Sequence, residues 1–444
     1  MKHKHIIACI SICIFVLLYG CKTNEFIVGD LVELTQNHQS YLEKTNPKKN
    51  FIPYKHHKIL TKEYKKKFFS PWNAVKHSVS KKRIAKDIKR FKSKTGYGEN
   101  KQKLNKKWIT KIEKNINLSQ YPNYKRKAIT ISNTNIRLLP THKPHFSKFS
   151  DNSNGFPFDN LQNSTIGANT PIYITHISKD NAWVLVETAF VYGWIPIRDI
   201  AYAGPKFVKE FKRHSSLVAA TSDDFPVKTV EGTYLYQGNI GMVFPLVKEF
   251  KHSYRILTCM ANNKRYAYAK TGSISKKNSA KMPLRLNTKN IAFLCNKLID
   301  QPYGWGGLYN NRDCSAMIRD LFTPFSIWLP RNSKSQAKLG GLFFDLASMT
   351  DKEKEDFINK NGIPYLTLLW FPGHIMLYIG EEENDSIIFH NIWGIRTKDK
   401  QKRHIIGKSV ITSLKLGSEL KHADKNYNLL NRVSGMTLLV PRYK

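Results

Sequence analysis

Asp313-Cys314-Ser315-Ala316-Met317-Ile318-Arg319-Asp320-Leu321-Phe322 decides how the C-terminal part of this chain reads. Asp and Ser are good helix-capping residues, and Met317, Ile318, Leu321 and Phe322 recur at helical spacing, so the stretch predicts a helix starting at Asp313. Cys314 then sits in the first turn, where unpaired N–H groups and the positive end of the helix dipole favour a thiolate. A reactive thiolate needs a proton acceptor. His374 follows Trp370-Phe371-Pro372-Gly373 and opens the apolar run Ile375 to Ile379, while His390 closes the run Ser386 to Phe389. A hairpin through Glu381 to Asp385 brings both imidazoles to one end of a sheet, where one meets the thiol and the other orients it. Asn391 is the nearest substitute for the second imidazole, and strand alternation points it away if His390 faces inward.

Six cysteines are present, and an odd number, Cys259, Cys295 and Cys314, remains beyond residue 21. No metal-ligand spacing joins them. Cys295 falls on the apolar face Ile291, Leu294, Leu298 and Cys259 in the run Ile256 to Met260, so both read as core. No metal or cofactor is expected.

The chain has 444 residues and a formal charge of +39, long enough for several domains with real cores. Between positions 48 and 127 there are 26 lysines and arginines against 4 acidic residues. Val75, Val79, Ile84, Ile88 and Phe91, and then Leu104, Trp108, Ile112 and Ile116, predict helices with a basic outer surface. An anionic envelope polymer or lipid suits that surface. Lys2 and Lys4 precede an uncharged run from Ile6 to Tyr19, which has the length of a signal-peptide core. Export makes nucleic acid an unexpected partner. From Ala128 to Ile195, and again from Gly232 to Lys270, short apolar runs broken by turn residues predict two small β units. Helices followed by antiparallel strands then give an α+β order.

Tyr303-Gly304-Trp305-Gly306-Gly307, Asp313-Cys314-Ser315, Leu329-Pro330-Arg331-Asn332-Ser333-Lys334-Ser335-Gln336, Gly373-His374 and Phe389-His390 resemble, in order, the signature of NlpC/P60 cysteine peptidases. Phe69-Ser70-Pro71-Trp72 resembles the N-terminal clip region of multi-domain members. Asn135 to Thr141, Phe156 to Gln162, Ser178 to Asp180 and Gly193-Trp194 resemble their first bacterial SH3-like domain. Leu18-Tyr19-Gly20-Cys21 resembles a lipobox, with Cys21 the lipid-modified residue.

The resemblance implies a papain-like α+β fold divided as signal peptide 1–20, basic helical clip region 21–127, SH3-like domains 128–203 and 204–275, and catalytic domain 276–444. It implies hydrolysis of peptidoglycan stem peptides or muropeptides, typically between γ-D-glutamate and a diamino acid. Cys314 carries over as nucleophile, His374 as base and His390 as the orienting residue; Tyr303, Asp313 and Ser315 match substrate-lining positions. Asp313 is either a helix cap, a holder of a terminal amine, or both, and Asp159 is a candidate second acidic group. The implied location is the cell envelope, lipid-anchored, on the periplasmic side of an outer membrane in a Gram-negative cell. An amidase or acyltransferase on the same fold, and a non-catalytic wall-binding scaffold, are the competing readings.

Overall fold

In the computed structural model, residues 28–42, 48–149, 155–399 and 402–439 are described. The signal segment and Cys21 lie outside the described residues. Among the described residues the chain builds three antiparallel sheets, and no helix is long and apolar enough to cross a membrane.

The basic region is helical, but its helices start later than the apolar spacing suggests. Ser80 caps Lys81–Ser93 by accepting from the Arg83 N–H, and Val75 is left outside the helix, 94 % exposed. Asn105 caps Lys106–Ile116 in the same way. A capping side chain satisfies an orphan N–H and so overrides apolar spacing in setting a boundary. Ile84, Ile88 and Phe91 pack with Ile109, Ile112 and Ile116 against Trp183 and Trp194 of the first sheet. An earlier helix, Tyr54–Phe68, leads into Pro71-Trp72. Trp72 is buried among Phe207, Phe211 and Leu217, and its indole N–H donates to the Ala128 carbonyl at 2.7 Å.

The first seven-stranded sheet includes Pro171–Ile177, Trp183–Glu187 and Tyr192–Pro196. The apolar run at 129–138 divides into two strands, Arg126–Thr130 and Thr134–Arg137. The second sheet, also seven-stranded, extends past position 275, because Ser279–Lys281 pairs with Leu217–Ala220. Cys259 lies buried in its strand Ser253–Ala261.

The third sheet has six strands. Its order is Leu342–Asp345, Gly435–Leu438, Thr367–Phe371, His374–Glu382, Asp385–Arg396 and Arg403–Ser413. Helices Thr288–Leu298, which buries Cys295, and Cys314–Phe322 pack on the face carrying Ile375, Leu377 and Phe389. Arg403–Ser413 is an edge strand, a position with unpaired backbone groups. The N-terminal segment covers it: the Gln36 amide bonds both the N–H and the carbonyl of Ile411 at 2.8 Å, and Asp30 accepts from the Ser413 N–H at 2.7 Å.

The SH3-like and catalytic units are held together by a buried charge cluster. The Arg312 guanidinium pairs at 2.7 Å with Asp223, in the loop between the second-sheet strands Leu217–Ala220 and Phe225–Thr229, and with Asp320 at 2.9 Å, and it also donates to the Ile240 carbonyl. That junction fixes the orientation of the site.

Candidate functional site

The helix containing Cys314 begins at Asp313, whose carboxylate accepts from the Ala316 N–H at 2.8 Å. The same carboxylate accepts from the Gly306 N–H, the Ser315 hydroxyl and two nitrogens of Arg331, the shortest at 2.7 Å. The structure therefore assigns Asp313 to the helix start and to Arg331, and its acceptor capacity is filled without an amine. Arg331, just 5 % exposed, also donates to Ser315 and, at 2.8 Å, to Ser164 of the first SH3-like sheet. Asp159 is likewise engaged, by Arg137 at 2.6 Å and by the N–H groups of His145 and Leu161.

The loop Trp305–Asn310 seats the SH3-like wall on the site. Gly306 and Gly307 take φ of 60° and 85°, a region open to glycine. Gln162 donates to the Gly306 carbonyl at 3.1 Å, and the Trp305 indole donates to the Asp159 carbonyl at 3.1 Å. Phe158 then meets Trp305, Tyr303 and Trp393 with ring centroids 5.3, 6.4 and 6.0 Å away. One wall of the cleft therefore comes from each domain.

Pro372 and Gly373, the latter at φ 97°, form the two-residue turn that pairs Phe371 with His374. Leu377 pairs with Phe389 on the next strand, so alternation puts His374 and His390 on one face. They meet there: His374 Nε2 lies 2.9 Å from His390 Nδ1. Asn391 points the other way, buried, with neither side-chain polar atom hydrogen-bonded among the described residues.

A third side chain, invisible to motif reading, completes the line. His390 Nε2 lies 3.1 Å from Thr412 Oγ1, and that hydroxyl donates its single proton to the Ser413 carbonyl at 3.0 Å. Thr412 must then accept from His390 Nε2–H, which leaves His390 Nδ1 as an acceptor for His374 Nε2–H. His374 Nδ1 remains bare. Replacing Thr412 with Val removes this constraint. We expect kcat on a cleavable substrate to fall about tenfold, as for the loss of one buried hydrogen bond, with KM held and with Thr412→Ser restoring the rate. A Thr412→Val enzyme with unchanged kcat would show that the hydroxyl does not set the tautomer.

Electrostatics place the proton on the sulfur. Burial, then the Asp313 carboxylate, push the Cys314 thiol up to about 12, against weaker opposing effects of the Ile375 N–H and Arg331. Burial, then Arg432, push His374 down to about 3, and burial holds His390 lower than usual as well. The thiolate expected from helix position is thus outweighed by desolvation, and the thiol forms no hydrogen bond to His374 among the described residues. A raised pKa favours the protonated form. Alkylation of Cys314 by iodoacetamide should therefore accelerate about tenfold per pH unit between about pH 6 and 9, because the thiolate is the reacting species. A rate independent of pH over that range would reveal a preformed thiolate.

Comparisons with known proteins fit this architecture. Family models match in the order of the domains: the NLPC_P60 stabilising domain, N term, at 10–121; an SH3 domain of SH3b1 type at 144–196; an SH3 domain of SH3b2 type at 205–251; and the NlpC/P60 family at 300–410. Residues 300–410 are an NlpC/P60 domain. An NlpC/P60 endopeptidase from Photobacterium damselae subsp. piscicida is similar over 92 % of this chain and 98 % of its own, with 25 % identity and a TM-score of 0.81. An NlpC/P60 family protein from Bacillus cereus ATCC 10987 aligns over 64 % of this chain and 83 % of its own, with 16 % identity and a TM-score of 0.44. No curated protein sequence matches. The third sheet and its two packed helices are therefore the NlpC/P60 unit of this chain, preceded by two SH3-like sheets and the helical N-terminal region.

Proposed function

We propose that this NlpC/P60 protein is a cysteine endopeptidase that cuts peptidoglycan stem peptides between γ-D-glutamate and the diamino acid. The observation that carries the reading is the Thr412–His390–His374 line, which leaves an imidazole nitrogen bare at the strand start whose next residue, Ile375, offers its N–H to the Cys314 thiol. In the proposed reaction His374 Nδ1 takes the thiol proton as Cys314 Sγ attacks the amide carbonyl, and the oxyanion is held by N–H groups at the helix start, that of Cys314 among them. The imidazolium then gives its proton to the departing amine. Water, deprotonated by the same nitrogen, hydrolyses the thioester and frees the enzyme.

Tyr303 lines the cleft in this reading, with Phe158 of the SH3-like domain narrowing it, while the Ser315 hydroxyl is buried between Asp313 and Arg331 and braces the helix start from behind. A lipid anchor at Cys21 and a place in the cell envelope belong to the same proposal and rest on the sequence. Incubation with defined muropeptides, followed by product masses, tests the reaction. The expected products are an acyl fragment ending in D-glutamate and a free diamino-acid amine. Exchange onto an added amine in place of hydrolysis would identify an acyltransferase, and unchanged peptides would leave a wall-binding scaffold.

A further inference from the structure

The two helices that pack on the first sheet carry a basic pattern opposite their apolar one. In Lys81–Ser93, Ile84, Ile88 and Phe91 pack inward, and Lys82, Lys86 and Lys89 recur at the same spacing on the other side. Lys106–Ile116 repeats the arrangement, with Ile109, Ile112 and Ile116 inward and Lys107, Lys111 and Lys114 outward. All six lysines are exposed. Lysines three and four apart on one helix repel each other and weaken it. Neighbouring cations find partners within the fold: the Lys81 ammonium donates to the Ser119 carbonyl at 3.1 Å, Arg83 to the Tyr192 hydroxyl at 2.8 Å, and Lys92 pairs with Glu113 at 2.6 Å, joining the two helices. Asp87, the other acidic residue of these helices, accepts from the Tyr192 hydroxyl. The six outward lysines reach no carboxylate among the described residues. Because both helices lay their apolar faces on one sheet, both lysine stripes look away from it, side by side. The fold thus maintains a cationic plate that nothing within the described chain neutralises.

Shape and composition select the partner. Binding of single-stranded nucleic acid uses exposed aromatic rings for stacking, and the aromatic residues of these helices, Phe91 and Trp108, pack into the apolar cluster instead. A linear polyanion is tracked by a groove, whereas two helix backs side by side present an open face. Lysine, a compact and hydrated charge on a flexible stem, suits a field of phosphate groups whose positions are not fixed. We propose that Lys82, Lys86, Lys89, Lys107, Lys111 and Lys114 form a docking plate for a membrane surface rich in anionic phospholipid. The plate is independent of the peptidase reading, since none of its residues belongs to the candidate active site. It bears on where that site works: the sheet beneath the plate also carries Ser164, which Arg331 ties to the helix of Cys314, so a docked plate holds the cleft beside the bilayer.

The test uses the chain from Lys22 onward, which keeps every described residue and leaves out the apolar run and Cys21, so that neither a signal segment nor an acyl chain contributes. Co-sedimentation is measured with vesicles of phosphatidylcholine alone and with vesicles containing about a third phosphatidylglycerol, a composition that gives the surface a negative potential. Partition onto the anionic vesicles should be at least about thirtyfold stronger at low salt, and the preference should fade towards about 0.5 M salt. A quadruple variant, Lys86→Glu, Lys89→Glu, Lys111→Glu and Lys114→Glu, should lose at least about tenfold of that partition. A matched variant that reverses four exposed lysines elsewhere, Lys264, Lys277, Lys289 and Lys352, makes the same change in net charge and should keep most of it. Equal partition onto both vesicle types, equal losses in the two variants, or binding to a soluble polyphosphate with none to the anionic vesicles would overturn the plate. The parent comparison of the two vesicle types stands even if a variant fails to fold.

Discussion

His374→Ala should lower kcat on a stem peptide by about a thousandfold, within the range typical of losing a positioned acid–base group, with a far smaller change in KM. The reason is specific to this site. With burial holding the sulfur protonated and the imidazole neutral, no thiolate is stored in advance, so in the proposed mechanism the proton leaves during attack and passes to His374 Nδ1. Raising the pH substitutes for the missing base only as far as the thiol ionises. Residual activity of the variant should therefore climb steadily through the alkaline range, whereas the parent's should be nearly level between about pH 6 and 8, above His374's depressed pKa and below the thiol's raised one. A variant that retains activity within about threefold of the parent would remove His374 from the reaction.

Arg331→Met should destabilise the protein by about 3–5 kcal/mol, the usual cost of leaving a buried carboxylate unpaired. Asp313 loses two donors at once, and Ser315 and Ser164 lose one each. Activity should fall too, because Arg331 is among the groups that lower the Cys314 pKa and Asp313 raises it; without the arginine the thiol becomes harder to ionise. Adding Asp313→Asn removes the unpaired charge while keeping a good cap, so the double variant should regain part of the lost stability. Thermal melts of the parent, the single variant and the double variant check this. Additive losses would mean that the pair is not the source of the cost.

The places of Cys314, His374 and His390 in the fold were legible because their signals are local. The Asp313 cap, the apolar spacing after Cys314 and the two strand runs around His374 and His390 each lie within a few positions of one another. Thr412 was not legible. It enters through the strand Arg403–Ser413, whose start is basic and whose alternation is broken at Gly407-Lys408, and it reaches His390 only through sheet register. Arg331 stood in a quoted motif, but its bonds to Asp313 and Ser164 join two domains, and no spacing encodes a contact between domains. Val75 shows the opposite error: helical spacing continued past a capping serine that the backbone obeyed instead.

The measurement closest to the central claim is a muropeptide digest by the intact protein and by three single variants, Cys314→Ala, Cys259→Ala and Cys295→Ala, with products weighed by mass spectrometry. The account predicts no cleavage by Cys314→Ala and parental cleavage by the other two that fold, since those thiols are buried in the second sheet and in the helix Thr288–Leu298. Cleavage of the same bond by a folded Cys314→Ala protein would contradict it.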